Sequence, residues 1–342
     1  MFKLKDFAQD ISVAIKDAQS SPFDRFVGLE HYDSGEPVIT RYTDKSLLSS
    51  SVKEFRKNDI LIARRNVYLK RAGIAFFDGL TSGDSIVLRI YDDCESRTGI
   101  SKQDAIRIIP FILNSNVFWA YANKHADGMN SKRISKEMLY DYEFDLPPLA
   151  EQKVLAEKLW AAYRLKESYK KLLAATEEMV KSQFIEMFKG DFPKLSWEKC
   201  LTIINGKKYD DDYQESGTYP ICGSGGIMGY GERMLCPKDS VILGRKGNIN
   251  SPIYMETDYW IVDTAFCLDV DRTKLHPKYF YFWCKLFDFT RYNKQGVLPS
   301  LTKNDLLKIE MPIPPMELQT KFVDIIEQSD KSGSVLQHMI AC

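Results

Sequence analysis

A duplicated segment constrains the fold more than any other feature of this sequence. Residues 134–152 recur as residues 301–319, with a constant offset and no gap. Each copy ends in an apolar–Pro–Pro–apolar sequence, and three positions later comes a glutamine, Gln152 or Gln319. A period this long indicates duplication of a whole domain and not a solenoid of short repeats. The chain is therefore expected to contain two similar sites.

The duplication extends upstream when short insertions are allowed. Three further pairs of segments align in the same order: Asp59–Arg65 with Asp239–Arg245, Asp84–Leu88 with Asp263–Leu268, and Phe118–Trp119 with Phe282–Trp283. Between these anchors the two halves differ freely. This pattern predicts a shared scaffold whose loops and exposed surfaces differ between the copies.

Length and composition limit the class of protein. A chain of 342 residues is too long for one ordinary core and fits two domains with connecting elements. An apolar content of 44% with 27% charged residues is typical of a globular protein. The sequence contains no apolar run of about 18 residues and no apolar stretch of a signal peptide at its start. We therefore expect a cytoplasmic protein that does not enter a membrane.

Charge and metal-binding residue types argue against two simple functions. The seven cysteines and four histidines are scattered, without a Cys-x-x-Cys pair, so no metal site is expected. The net charge is zero, which argues against a nucleic-acid binder held by bulk electrostatics. Any nucleic-acid binding must therefore depend on the local distribution of charge.

The chain divides into four parts. Residues 1–146 show short apolar runs between polar turns, which predict strands, followed by a helix at 106–124 that is first broken at Pro110. Residues 147–190 form a spacer without Gly or Pro from Ala150 to Phe188, which predicts one helix about 60 Å long. Its apolar residues follow alternating steps of four and three, the pattern of a coiled coil.

The second half repeats this plan. Residues 191–313 predict another mixed domain with a helix at about 277–289, and residues 314–342 predict a shorter closing helix weakened by Gly333 and nearby serines. The fold class is therefore α+β: two mixed α/β domains separated by long coiled-coil-like helices, with a pseudo-twofold internal repeat. The simplest packing places the two helices antiparallel.

No catalytic constellation is present in the sequence. The glycine-rich stretch 223–229 has Met228 at the third glycine position of a dinucleotide fingerprint, so we interpret it as a turn or a loop close to a ligand. The acidic run 210–212 is typical of a solvated turn. The Pro-Pro pairs lack the polar and aromatic neighbours of the Asn-Pro-Pro-Tyr motif of amino-methyltransferases and instead mark helix starts. The aromatic-rich helices are expected to serve the core.

Basic and amide side chains at corresponding loops are the candidate binding residues. Surface loops are often basic, but here equivalent places in both copies are basic and carry Asn or Gln, which suits contacts to phosphates and base edges. Asn130 and Gln295 are the candidates for base reading. The full set is Arg64, Arg65, Lys70, Arg71, Asn130, Lys132 and Arg133 in the first half, and Lys207, Lys208, Arg245, Lys246, Arg291, Lys294 and Gln295 in the second.

With these features the chain resembles the specificity subunit (HsdS-like) of type I restriction-modification systems. The resemblance covers nearly the whole chain. Its most specific part is the repeated Φ-Pro-Pro-Φ-x-x-Gln sequence leading into a long helix, supported by three shorter segments, Phe26–Glu30, Asp59–Ile62 and Tyr219–Ile221. The chain departs from the family in its last helix, which is shorter than the first.

The resemblance implies a non-catalytic DNA-binding subunit. Each mixed domain would be a target recognition domain that reads one half of a bipartite double-stranded DNA sequence. The helices would set the spacing and dock methyltransferase (M) subunits in a complex that also contains restriction (R) subunits. The chain itself would need no cofactor, because AdoMet, ATP and magnesium would belong to those partners.

Two alternatives remain open from the sequence. A restriction or methyltransferase enzyme fused to its own recognition domains would bind AdoMet. A coiled-coil scaffold with two protein-binding domains would bind partners but show no saturable, sequence-dependent DNA binding.

Overall fold

The computed structural model describes residues 1–47, 51–128, 131–210, 213–293 and 299–341. The chain forms two compact units, Met1–Leu165 and Lys166–Cys342. Among the described residues, no helix is both long enough and apolar enough to span a membrane.

The first unit is rich in short strands. Its described helices are α1 (Leu4–Phe7), α2 (Cys94–Thr98), α3 (Lys102–Ile112), α4 (Asn116–His125) and α5 (Lys136–Tyr140). Its described strands are β1 (Phe2–Lys3), β2 (Ala8–Asp10), β3 (Ala14–Ile15), β4 (Arg25–Val27), β5 (Val38–Ile39), β6 (Thr43–Asp44), β7 (Val52–Phe55), β8 (Ile60–Ala63), β9 (Ala72–Ala75), β10 (Gly79–Ser82), β11 (Ser85–Ile90) and β12 (Glu143–Phe144).

The first unit contains two five-stranded sheets, and side chains from both pack in one cluster. One has the order β2-β11-β8-β9-β5 and the other β3-β7-β10-β4-β6, while β1 and β12 form a separate antiparallel ribbon. Along β8, Ile60 and Ile62 pack into the cluster that contains the helices, whereas Leu61 and Ala63 pack with Phe55 of the other sheet. Because both faces of β8 are buried, its sequence is an uninterrupted apolar run.

The helix predicted at 106–124 is two helices, and the predicted break at Pro110 is wrong. Pro110 lies inside α3, and the break comes at residues 113–115. There Asn114 donates from Nδ2 to Pro110 O at 2.8 Å, and Ser115 Oγ accepts the Phe118 N–H at 3.1 Å. A serine in this position satisfies a free amide of the first turn, so it starts a new helix.

The longest helix, α6 (Leu149–Met187), continues for 39 residues, or about 58 Å. Trp160 fixes its first half to α3 by donating from Nε1 to Arg107 O at 2.9 Å and by packing edge-on against Phe111. This helix is the uninterrupted rod that the absence of Gly and Pro predicts. In the described ranges α6 is flanked by the closing strand of the first unit and the opening strand of the second.

The second unit repeats the scaffold with fewer strands. Its described helices are α7 (Pro277–Leu286), α8 (Lys303–Leu307) and α9 (Met316–Ala341). Its described strands are β13 (Lys194–Ser196), β14 (Leu201–Asn205), β15 (Tyr219–Gly223), β16 (Gly226–Gly231), β17 (Ser240–Gly244), β18 (Ile253–Met255), β19 (Trp260–Ile261), β20 (Ala265–Val270) and β21 (Glu310–Pro312), in sheets β14-β20-β17-β18, β16-β15-β19 and β13-β21.

Helix α9 packs against the C-terminal half of α6 within the second unit. Phe322 lies against Phe184 at 5.1 Å between ring centroids, and Gly333 faces Leu173. Because residue numbers rise along α9 as they fall along α6, the two helices run antiparallel. Gly333 weakens but does not interrupt α9.

The sequence alignment of Phe118–Trp119 with Phe282–Trp283 is not supported by the packing. Helix α7 lies on the central sheet and also contacts α9, with Lys278 Nζ 2.9 Å from Glu327 Oε1. In the first unit α3 occupies that position, between the central sheet and α6. The aromatic side chains of α4 and α7 are nevertheless largely buried, as expected for core residues.

The repeated glutamine closes the same turn in both units. Gln152 Nε2 donates to Pro147 O at 2.7 Å, and Gln319 Nε2 donates to Pro314 O at 2.8 Å. The carbonyl of the first proline precedes the second proline, which has no N–H, and lies just outside the helix, so the glutamine amide supplies its hydrogen bond. The Φ-Pro-Pro-Φ-x-x-Gln sequence is thus a device that starts α6 and α9.

Gln319 makes more hydrogen bonds than Gln152. Besides Pro314 O, its Nε2 donates to Lys274 O at 2.9 Å and its Oε1 accepts the His276 N–H at 2.8 Å. Gln319 is fully buried, so these bonds tie the start of α9 to the start of α7. Among the described residues, the buried Oε1 of Gln152 has no such partner.

This difference predicts unequal effects of one substitution. Gln319→Leu leaves three backbone groups without their hydrogen-bond partner and should lower the free energy of unfolding by about 3 kcal/mol, whereas Gln152→Leu should lower it by about 1 kcal/mol. Urea unfolding with hydrogen exchange of the α7 and α9 amides measures both. Equal destabilisation by the two variants would contradict the assignment.

Candidate nucleic-acid interface

Two backbone hydrogen bonds hold the first basic residue of each candidate site in the same way. In each unit this residue directly follows a central strand, β8 or β17. The bonds are Arg64 N–H to Asp84 O (2.8 Å) and Ile134 N–H to Arg64 O (2.9 Å) in the first unit, and Arg245 N–H to Thr264 O (2.8 Å) and Leu301 N–H to Arg245 O (2.9 Å) in the second. Arg64 and Arg245 are therefore equivalent positions.

This register corrects the sequence alignment by one residue. Aligning Asp59 with Asp239 pairs Arg65 with Arg245, but the structural equivalent of Asp239 is Asn58. Both have positive φ, 74° and 56°, and both donate their N–H to the neighbouring strand at 2.7 Å. Asn and Asp tolerate this left-handed conformation better than most residues, so the shared feature is the backbone and not the carboxylate.

The chain leaves the sheet in a similar way after each basic pair. Asn66 follows Arg65 with φ of 55°, and Gly247 follows Lys246 with φ of 78°. The second residue of each pair also forms an isolated β-bridge, Arg65 to Arg133 and Lys246 to Ser300. Arg133 and Ser300 lie shortly before α5 and α8, in the stretch that we call the closing segment of each unit. Each basic pair thus lies where a central strand, a turn and the closing segment meet.

Several basic side chains of the first unit hold the loop together. Arg64 Nε donates to Ile134 O at 3.2 Å, and Arg71 donates to Leu29 O at 3.0 Å and to Arg65 O at 2.9 Å. Arg65 forms an ion pair with Asp84 at 2.8 Å. These cations are therefore partly neutralised or used as supports for the backbone.

The remaining cations of the first unit lie at the rim of the same cluster. Lys70 Nζ donates to Asn116 Oδ1 at 3.3 Å, and Lys132 Nζ donates to Asn123 O at 3.0 Å. Arg133 is exposed, and its side chain has no hydrogen bond or ion pair within the described ranges. Asn130 lies outside the described residues.

The second unit also brings basic residues to the end of its central strand, β17. Lys207 and Lys208 are exposed, and the Lys207 N–H donates to Ile261 O at 2.9 Å, three residues before the Thr264 carbonyl that holds Arg245. Lys246 is exposed, and the Arg245 guanidinium lies over the Phe266 ring at 5.8 Å. Lys294 and Gln295 lie outside the described residues.

Arg291 reaches the same region through a neighbouring turn. Asn250, in the loop after Lys246, accepts the Phe289 N–H at 2.8 Å. Arg291 Nε lies 3.4 Å from Asp288, and the Asp288 pKa is lowered chiefly by hydrogen bonds from Thr290 and further by Arg291. The Arg291 side chain is three-quarters exposed, so the ion pair leaves it accessible.

A lysine that sequence reasoning missed lies beside the first basic pair. Lys53 Nζ donates to Ser85 O, next to Asp84. Burial lowers the pKa of Lys53, the positive charge of Arg64 lowers it further, and Asp10 opposes both. This charge supports the turn between β10 and β11 and is only partly available to a ligand.

Sequence reasoning also missed the apolar side chains that stand beside the basic pairs. Tyr68 is 63% exposed on a short 3-10 turn after Arg65, and Ile227 and Met228 are each 55% exposed at the start of β16. In the sequence, the run of cations on both sides of Tyr68 was the signal that could have identified this residue. The glycine-rich stretch 223–229, expected to be a turn, is the tip of the β15–β16 hairpin.

The exposed side chains at these sites are suited to binding. Exposed Lys and Arg side chains suit phosphate oxygens, and neighbouring apolar groups suit the edges or faces of bases. Both features occur at one place in each unit.

Comparison with known proteins agrees with this geometry. Residues 200–339 match the sequence model of the family described as Type I restriction modification DNA specificity domain. None of the curated proteins with which the sequence was compared matches it significantly.

Two solved structures of type I restriction-modification proteins share the fold, and a third is less similar. The S subunit of a type I restriction-modification system from M. genitalium is 14% identical, with a TM-score of 0.58 over 99% of this chain and 91% of that chain. A chain from a study of complex assembly and conformational transition of the type I R-M system is 16% identical, with a TM-score of 0.55 over 99% and 92%. The HsdS subunit of Thermoanaerobacter tengcongensis is 17% identical, with a TM-score of 0.41 over 98% and 90%.

The α+β fold expected from the sequence is therefore confirmed, and both comparisons agree with the resemblance to type I specificity subunits. Residues 200–339 are thus similar to type I restriction-modification DNA specificity domains, and the chain as a whole has the fold of the solved specificity (S) subunit of such a system.

Proposed function

We propose that this protein is the DNA-reading subunit of a type I restriction-modification complex and that each mixed domain reads one half of a bipartite target. One observation carries the proposal. The same backbone hydrogen bonds present a basic pair in both units, Arg64–Arg65 and Arg245–Lys246, while the surrounding loops differ. A common frame with different loops suits two readers of different sequences.

The basic side chains would divide between two tasks. Exposed cations such as Lys207, Lys246 and Arg133 would contact phosphates and fix the register of each domain on the duplex. Arg65 and Arg245 would face base edges in the major groove. Lys208, Arg291 and Lys294 would extend the phosphate contacts of the second domain, and Lys70, Arg71 and Lys132 those of the first.

The long helices would supply the spacing and the assembly surface. Helix α6, at about 58 Å, is longer than one turn of B-DNA, about 34 Å. Leu165, Leu172 and Met179 are exposed on it at intervals of seven residues, the spacing of a coiled-coil seam. A helical partner fits this seam, and we propose that methyltransferase subunits dock there, with restriction subunits joining the assembled complex.

Substitutions in the second basic pair test the reading of DNA. Arg245→Ala should weaken binding of the preferred duplex about 10- to 100-fold and relax the preference in one half-site, as expected for a base contact. Lys246→Ala should weaken binding of all duplexes. It should also reduce the slope of log affinity against log salt concentration by about one, as expected for a phosphate contact. Fluorescence anisotropy at several salt concentrations measures both.

Lys194→Ala is the matched control, because Lys194 is exposed in the same unit on β13, away from the basic pair. It should leave affinity and preference unchanged. If Arg245→Ala kept both at wild-type levels while circular dichroism showed an intact fold, the proposed placement of Arg245 would be wrong.

The zero net charge predicts that the chain alone binds DNA modestly. Basic surface from partner subunits should tighten binding at least tenfold in the assembled complex. Anisotropy titrations of the isolated chain and of the purified complex at one salt concentration measure the difference. Equal affinities would contradict this prediction.

A further inference from the structure

Tyr68 is held outward by a strained turn in the first unit. It lies at the centre of the 3-10 turn Val67–Leu69, whose flanking residues Asn66 and Lys70 have φ of 55° and 48°. Left-handed backbone at residues other than glycine is unfavourable and persists only where surrounding contacts fix it. Here Val67 is buried and anchors the turn, which leaves Tyr68 pointing away from the core.

Basic residues adjoin Tyr68 in the chain and through backbone bonds of its loop. The Val67 N–H donates to Lys132 O at 3.4 Å, and the Arg65–Arg133 bridge lies at the base of the loop. Ser131 Oγ donates to Asn66 Oδ1 at 3.2 Å, which fastens the loop to the segment that carries Lys132. A large exposed ring on a loop that also carries basic residues suits a polyanion with apolar groups between its charges, which is the chemistry of a DNA groove.

The second unit exposes apolar side chains at a hairpin tip. Strands β15 and β16 close at Gly223 and Gly226, and the pairing register shifts between Ile221 and Cys222. In a regular strand, successive side chains point to opposite faces. Here Ile227 and Met228 are both exposed, because β16 is an edge strand at its tip.

This hairpin tip lies beside the second basic pair. The Ser224 N–H contacts Thr264 Oγ1 at 3.4 Å, and the Thr264 carbonyl accepts the Arg245 N–H. A Cβ on Gly244 would lie 3.2 Å from the Ser224 Cβ, so the tip packs against the end of β17. An exposed apolar element therefore adjoins the equivalent basic pair in both units, although different parts of the chain provide it.

We infer that Tyr68 in the first unit and Met228, with Ile227, in the second determine half-site specificity by contacting thymine 5-methyl groups in the major groove. This inference rests on the proposed function. Thymine presents the apolar group of the major-groove edge, and apolar side chains recognise it by contact. The flanking cations bind the phosphates on either side, which brings each apolar side chain to the base edges.

Selection from a randomised double-stranded DNA pool tests the assignment. The full chain, in complex with its methyltransferase partner, is compared with Tyr68→Ala and Met228→Ala variants. Tyr68→Ala should relax the preference at a thymine in one half-site only, and Met228→Ala at a thymine in the other half-site only. Each variant is thus the control for the other. Tyr68→Phe should retain the wild-type preference, because the ring makes the contact.

Uracil substitution identifies the methyl group. Replacing the affected thymine by uracil should weaken wild-type binding about three- to tenfold and leave binding of the alanine variant unchanged. If both alanine variants kept the wild-type preference in both half-sites, or if they lost equal affinity on uracil and thymine duplexes, the inference would be overturned. If the wild-type complex selected no sequence at all, the proposed function itself would fail.

Discussion

The hydrogen bonds that join the end of each central strand to the closing segment organise this protein. In the first unit Arg64 links Asp84 of the β10–β11 turn to Ile134, and Arg245 makes the corresponding link in the second. The closing segment continues through the Pro-Pro turn into a long helix. The loops that present the cations are therefore bonded to the segment from which each helix begins, and a change in loop sequence need not disturb the helix.

This frame persists although its buried polar groups differ between the units. In the first unit the buried Asp59 accepts two hydrogen bonds from Arg89, at 2.8 and 2.7 Å. The backbone register places Ser240 and Asp269 at these positions in the second unit, where Ser240 Oγ pairs with Tyr259 OH at 3.0 Å and burial raises the pKa of Asp269. An ion pair and a hydroxyl pair thus occupy equivalent sites. Backbone bonding, more than any particular side-chain pair, specifies the shared scaffold.

The sequence predicts the features that depend on local patterns. The repeat, the course of α6 and the turn at the glycine-rich stretch follow from spacing, from the absence of helix breakers and from glycine content. The one-residue register correction depends on the left-handed backbone that Asn58 and Asp239 share. Matching residues of the same type pairs Asp59 with Asp239 instead and misses this shared conformation. The exposure of Tyr68 follows from the burial of its neighbour Val67, a tertiary contact that no local pattern encodes.

The same tertiary contacts fit the proposed binding of a polyanion by a chain without net charge. Arg64 and Arg71 hold backbone carbonyls, and Arg65 is paired with Asp84, so three of the cations in the first cluster also stabilise its loop. A loop fixed in this way loses little conformational freedom when it meets a duplex. Exposed pairs are also weak enough to exchange partners, so Arg65 can leave Asp84 for a base or phosphate at small cost. The fold thus concentrates positive charge at one place in each unit, although the net charge of the chain is zero. Sequence reading requires such local charge, in contrast to general DNA binding.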